Sequence, residues 1–252
     1  MTYPELAAAS IEHFSLDTAL YRPQTDRQRF TLLGNTDANR VLVKNGDYAA
    51  RFRINFNTTS GCTVFIGRNT RGDITINFNG DNSTVYIGDN CDLKQLQIRS
   101  RQSNDFIAIG EEVSVAGNNI WVSGYGAGNR TPAIIVGDDC MFSYDIVIRN
   151  SDAHPVFNAT TNTQVNEPHR AVHIEPHVWI GERCSILKDT TIGACSIVAL
   201  GSTVTRDAPR FSVVKGVPAT VSAQENTYWA RDNTEFAIDQ AKYYMNKYRP
   251  GE

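Results

Sequence analysis

The sequence has no long apolar run, no block of basic residues and no closely spaced cysteine pair, and each absence removes a class of protein. No stretch approaches the roughly eighteen consecutive apolar residues that a membrane-spanning helix needs. The N-terminal MTYPELAAAS lacks the basic-then-apolar order of a secretory signal. A soluble, cytoplasmic protein with no membrane span is expected. Lys and Arg number 24 against 27 Asp and Glu, for a net charge of −3. Without a basic block, nucleic acid is not the expected partner, though a local basic pocket for a phosphate remains compatible with the balance.

The five cysteines form no CxxC pair and no zinc-ligand spacing, so no metal is expected. Cys91, Cys140 and Cys184 each stand four places after the aliphatic residue of an Ile-Gly or Val-Gly pair, and read as small buried hydrophobes. Cys62 and Cys195 are isolated. No G-x-S-x-G motif offers a serine nucleophile. The sequons at Asn57, Asn82 and Asn158 carry no weight without a secretory signal.

What the chain does have is a beat of six. From Ile174 the count lands on Ile180, Ile186, Ile192, Val198 and Val204, and four residues after each stand Val178, Cys184, Thr190, Ser196, Ser202 and Ala208. A helix of period 3.6 would smear this spacing around its circumference, whereas in strands both positions point the same way. Short strands turning at every sixth residue build a triangular solenoid. Ordinary hairpins would need turn dipeptides such as Asn-Gly, and this stretch has none. The expected fold is an all-β solenoid, a parallel β-helix of hexapeptide repeats over 41–221.

Upstream the beat is looser. Ile66-Gly67, Ile87-Gly88, Ile109-Gly110 and Val136-Gly137 follow one another at 21, 22 and 27 residues, more than the eighteen of a regular three-sided coil. Early coils with corner loops are expected, the Gly-rich 124–129 among those loops. Residues 1–40 lack the repeat and read as an N-terminal cap, with a helix over Pro4–Leu20 burying Leu6, Ile11, Phe14 and Leu20. Residues 222–252 read as a closing helical segment, with a capping box at Asp232 and Glu235 and an apolar face of Ala237, Ala241, Tyr244 and Tyr248.

Between Arg149 and His173 the beat stops, and a long excursion within a regular solenoid is usually functional. It carries His154, whose neutral imidazole is suited to take a proton from a hydroxyl. A solvated loop histidine is the competing reading. His173 and His177 would stand roughly 13 Å apart along a strand, too far to share an ion. Trp179 lies between inward-facing Val178 and Ile180, so it should point outward to an interface or ligand, unless the closing helix covers it.

The segment EPHVWIGERCSILKDTTIGACSIVALGSTVTRDAP followed by KGVPA resembles the signature of the hexapeptide-repeat O-acetyltransferases. With RNSDAHPVF upstream, it resembles those that acetylate sialic acid capsules and other bacterial polysaccharides. The resemblance covers about 136–229. It implies a left-handed β-helix, a homotrimer with sites between adjacent solenoids, acetyl-CoA as acyl donor, a saccharide acceptor and direct transfer. His154 would be the general base, Trp179 would lie beside the catalytic centre, and the Glu182 N–H would stand where the thioester oxyanion forms. Ala199, Leu200 and Gly201 would line the pantetheine arm, with Thr205 and Arg206 near the nucleotide. Leu200 departs from the usual Gly-Ala-Gly-Ser, and Thr220 replaces the usual basic residue after Pro218-Ala219. Arg206, Arg210 or Lys215 would then hold the coenzyme's phosphate. The alternatives are N-acetylation of a nucleotide-linked amino sugar and a γ-type carbonic anhydrase, which shares the solenoid.

Overall fold

The computed structural model describes residues 1–46, 49–124 and 133–249, so all of the Gly-rich loop after Gly124 lies outside the described residues. Short strands wind around a triangular section and stack in register on three faces. The first face carries Arg40–Val43, Thr63–Ile66, Thr84–Ile87, Phe106–Ile109, Ala133–Val136, Val172–Ile174 and Thr191–Ile192, all parallel. The second includes Ser114–Gly117, Met141–Tyr144, Trp179–Ile180, Ile197–Val198 and Ser212–Gly216. The third runs from Phe30–Leu33 through Arg51–Asn55, Arg71–Phe78, Asp92–Ser100, Asn119–Ser123, Val147–Arg149 and Ser185–Ile186 to Thr203–Val204.

The hexad phase is the packing phase. Ile174, Ile180, Ile186, Ile192, Val198 and Val204 are buried, as are all six of the small residues that follow them. The six aliphatic residues, with Val178, Cys184 and Ala208, join one core with Ile66, Ile87, Ile109, Val136, Phe142 and Ile148 from the earlier coils. Each fully buried Ile or Val contributes roughly 1.5–3 kcal/mol, so the stacked interior outweighs anything at the surface.

The Ile-Gly punctuation has a steric cause. A Cβ on Gly67 would meet the Gly88 carbonyl carbon at 2.4 Å, and one on Gly110 would meet the Asp138 nitrogen at 2.6 Å. The coils touch backbone to backbone there, and only glycine leaves room. Two residues later the chain turns through left-handed φ at Asn69, Asn90, Glu112, Asp139, His177 and Cys195, all between 54° and 60°. One corner column therefore stacks polar side chains and a thiol from coil to coil.

The terminal segments differ from expectation in detail. The N-terminal helix is confined to Tyr3–Ser10, closed by a Thr2–Glu5 capping box, and Leu20 is exposed. It lies along the flank of the first face, where Ala7 and Ile11 pack with Tyr86, Ala108 and Ile135. The C-terminal helix spans Glu235–Tyr248 and buries Ala237, Ala241 and Tyr244, the face read from the sequence. Its cap is Thr234, which accepts from the Ala237 N–H, while Asp232 accepts in turn from Thr234. No helix among the described residues is long and apolar enough to cross a membrane.

Candidate active site

The excursion after Arg149 is a built loop. Asn150 is buried, donating to Ser123 Oγ at 2.8 Å and accepting from the Gly124 N–H at 3.0 Å. Lys188 Nζ reaches Asp152 at 2.5 Å and the Asn166 carbonyl at 2.6 Å. Asn166 donates to the His154 carbonyl at 2.8 Å, while its own amide oxygen accepts from the Val156 N–H at 2.8 Å. Ala153 stands at φ 67°, a left-handed conformation costly for alanine. These braces hold the His154 backbone while its imidazole remains exposed, lining a groove of about 310 Å³ with Arg99, Arg101, Val122, Arg149 and Ala153. A presented imidazole over an open groove can accept a proton from a bound hydroxyl.

Trp179 points outward from the second face and is 38% exposed. Its ring lies 6.3 Å from Trp229, so the segment before the C-terminal helix shields part of it. The next corner carries Glu182, whose carbonyl accepts from the Gly201 N–H at 2.8 Å and whose own N–H donates to no group among the described residues. Such a free backbone donor can bind an oxyanion. One coil on, Ala199 is half-buried, Leu200 is exposed, and nothing stands within 4 Å of where a Gly201 Cβ would be. Thr205, Arg206 and Lys215 are exposed. Lys215 follows Val214, whose carbonyl accepts from the Ala199 N–H, so it stands one layer above that corner. Arg210 is engaged: it grips Glu175 through two contacts of 2.6 and 2.9 Å and covers the Tyr248 ring. Arg206 and Lys215 therefore remain the candidates for a phosphate contact.

Within one chain these residues divide into two groups. His154 emerges beyond the end of the third face, whereas Trp179 and Glu182 belong to the second face and its corner.

The other histidines have structural partners. His173 Nε2 pairs with Ser10 Oγ at 2.7 Å, fixing the N-terminal helix, and burial pushes its pKa down. His177 Nδ1 meets Asp139 at 2.6 Å and its Nε2 meets the Trp229 carbonyl at 3.1 Å, with the Trp229 ring stacked at 4.1 Å. Arg231 closes the cluster on the second oxygen of Asp139 at 2.6 Å. This lock, which seats the C-terminal segment beside Trp179, was missed from the sequence. The signal lay in Asp139 and His177 sharing one corner column.

No known family's sequence model matches the chain. Over 110 residues it is 30% identical to a polysialic acid O-acetyltransferase of Escherichia coli O1:K1 / APEC, covering 43% of this chain and 35% of the relative. Over 124 residues it is 32% identical to a polysialic acid O-acetyltransferase of Neisseria meningitidis, covering 43% of this chain and 57% of the relative. The chain thus spans between about a third and three fifths of these relatives' lengths. The solved structure of the polySia-specific acetyltransferase NeuO superposes with a TM-score of 0.79 at 26% identity, over 90% of this chain and 95% of that one. The polysialic acid O-acetyltransferase OatWY superposes at 0.68 with 22% identity, over 85% and 99%, a likeness of fold. With the hexad core, the glycine corners and these relationships together, the chain is a left-handed β-helix of hexapeptide repeats, similar in fold and over part of its sequence to the polysialic acid O-acetyltransferases.

Proposed function

We propose that this protein is an acetyl-CoA-dependent O-acetyltransferase acting on a hydroxyl of a bacterial capsular or surface polysaccharide. The observation that carries the reading is the braced loop, in which Asn166 and Lys188 hold the segment that presents His154 over an open groove. His154 takes the proton of the acceptor hydroxyl as its oxygen attacks the thioester carbonyl. The tetrahedral oxyanion accepts from the Glu182 N–H, and its collapse expels the coenzyme A thiolate and leaves the acetyl ester. No covalent enzyme intermediate is needed. Trp179 and the Ala199–Leu200–Gly201 corner wall the pantetheine arm, Thr205 lies along its nucleotide end, and Arg206 or Lys215 takes the phosphate.

Because His154 and the donor slot lie on different faces, the complete site is assembled between copies of the chain, in a homotrimer. The five cysteines are free and buried, which suits the cytoplasmic location expected from the sequence.

The test is His154→Ala, assayed by coenzyme A release with acetyl-CoA and polysialic acid. A loss of kcat of roughly 10²–10⁴ is expected, with thermal unfolding and oligomeric mass by light scattering unchanged. A folded variant within a few-fold of the parent rate would overturn the assignment of the base. A wild-type monomer with full activity would overturn the shared site.

A further inference from the structure

The lock around His177 stands beside a side chain assigned to the donor slot. Trp179 projects from a strand of two residues, with Met141 in register one coil below it and Ile197 one coil above. These neighbours flank the indole along the stack. Across the face it is the Trp229 ring that meets it, 6.3 Å away and tilted by 46°, from the corner at which His177 turns the chain.

Trp229 itself is held from several sides. Its indole N–H donates to the His177 carbonyl at 3.1 Å, and its own carbonyl pairs with His177 Nε2 at 3.1 Å. Its ring stacks on the imidazole at 4.1 Å, 9° from parallel, and Tyr244 of the C-terminal helix stacks on the same imidazole at 5.2 Å. Two residues on, Arg231 binds Asp139 at 2.6 Å and the Ser114 hydroxyl and Glu112 carbonyl at 2.7 Å each. Asp139 and His177 are almost wholly buried. A buried charged network is a weak source of stability, because desolvation offsets its Coulombic gain. What this one supplies is a fixed seat for Trp229. That ring is buried yet stands outside the hexad core, so the solenoid interior does not rest on it.

We infer that Trp229 is a positioning residue for the donor site: seated by His177, Asp139 and Arg231, it holds the Trp179 indole in the orientation that walls the pantetheine arm. The inference rests on the proposed function for the role of Trp179 and deepens it by bringing the C-terminal segment into the site. An indole left to rotate would have to be ordered as the donor arrives, and that lost freedom would weaken binding.

The experiment reads ring position and donor binding separately. In a Trp121→Phe background, Trp229→Phe and Trp229→Ala each leave Trp179 as the sole tryptophan. Iodide quenching and fluorescence anisotropy then report that ring alone. With Phe at the seat the ring should stay held, whereas with Ala its quenching should rise and its anisotropy fall. Calorimetry of the full chain with coenzyme A gives the second reading. Trp229→Ala should weaken binding by about tenfold, and Trp229→Phe should restore most of it. In a Trp179→Ala background the same Trp229→Ala change should add nothing, whereas a merely structural role would cost as much in either background. Should Trp229→Ala fail to fold, Trp229→Leu, which keeps the seat apolar, takes its place in both measurements. Equal quenching of Trp179 in the Phe and Ala proteins would overturn the inference, and so would additive losses of coenzyme A affinity. If Trp179→Ala weakens coenzyme A and Trp229→Ala does not, the donor slot stands and the clamp falls. If Trp229→Ala releases the ring yet even Trp179→Ala binds coenzyme A as wild type does, the clamp stands and the proposed donor slot falls.

Discussion

The early and late coils solve one packing problem at two sizes. From Ile174 to Ile192 the first face repeats after 18 residues, and the interior is filled by Ile, Val and small residues. From Ile66 to Val136 it repeats after 21, 22 and 27, and the interior takes Phe52, Phe56, Phe78, Trp121 and Phe142. Rings stack from coil to coil, Phe30 on Phe52 at 4.9 Å and Phe56 on Phe78 at 5.3 Å. A longer rung encloses a wider section, and only larger side chains fill it at interior density. The wider coils also have longer strands, and so more outward positions. Arg53 and Arg99 stand on those longer strands.

The largest effect should come from emptying the wider section. Trp121 is fully buried on the third face, 5.0 Å from the Phe142 ring. Trp121→Ala should cost about 3–5 kcal/mol, against about 2–5 for Ile186→Ala in the late coils. At roughly 2–4 °C per kcal/mol for a chain of this size, thermal melts should rank the first variant lower. Part of the Trp121 gain is offset because its indole N–H is buried without a partner. Trp121→Phe should therefore recover most of the loss. An Ile186→Ala variant less stable than Trp121→Ala would mean that the late coils hold the fold together.

The late coils were legible from residue spacing alone, because a fixed period needs no knowledge of where the chain turns. The early ones were legible as strands and glycine corners, but not in register. Asn55, Asn77, Arg99 and Arg149 align only once each rung's own length is known. The same holds for Asp139 and His177, which the excursion separates in sequence and the corner column reunites. His154 and Trp179 were readable as candidates, one from its loop and one from its phase. Their placement on separate faces was not, since that depends on which corner the loop leaves. The helix over Pro4–Leu20 failed for another reason: after Ser10 the chain drops into the flank, and Asp17 caps a single 3₁₀ turn.

A second contrast concerns the corners. At Gly67 an added methyl would strike backbone at 2.4 Å, while at Gly201 it would meet nothing within 4 Å. Gly67→Ala forces two coils apart and should cost about 1–3 kcal/mol. Gly201→Ala pays only for its φ of 72°, about 1 kcal/mol. Gly201→Asn should cost less still, since asparagine tolerates left-handed backbone. Chemical denaturation of the three variants measures the ranking directly. A Gly201→Ala loss as large as that of Gly67→Ala would mean the open corner is filled in the working protein, as a bound donor or a neighbouring copy would fill it.

The smallest effect lies at the seam between the two regions. Asp138 accepts from the Glu111 N–H at 2.7 Å and the Glu12 N–H at 2.8 Å, yet burial pushes its pKa up to about 7, helped by the charges of Glu111 and Glu12. Around it stand Glu112, Asp139, His13 and Tyr244, with Arg231 on Asp139 and Lys247 4.0 Å from Glu12. A carboxyl raised in the folded state stabilises below its unfolded pKa, and that contribution is lost as pH rises through about 7. His173 works in the opposite sense: its lowered pKa stabilises above about 6.5 and is lost as pH falls. Just below pH 6.5 the two slopes oppose. Above 6.5 Asp138 declines together with His13, whose pKa is raised chiefly by its hydrogen bond to Glu111. Stability should therefore fall between pH 6.5 and 7.5, by at most about 1.4 kcal/mol per proton over that unit. Asp138→Asn gives up one backbone partner and should be less stable throughout, so the slope is the readout rather than the level. Melting curves at half-unit steps should show the variant declining less steeply than wild type over this window. Parallel curves would mean that the seam's carboxyl is already ionised at pH 6.5, held so by the two N–H groups that it accepts.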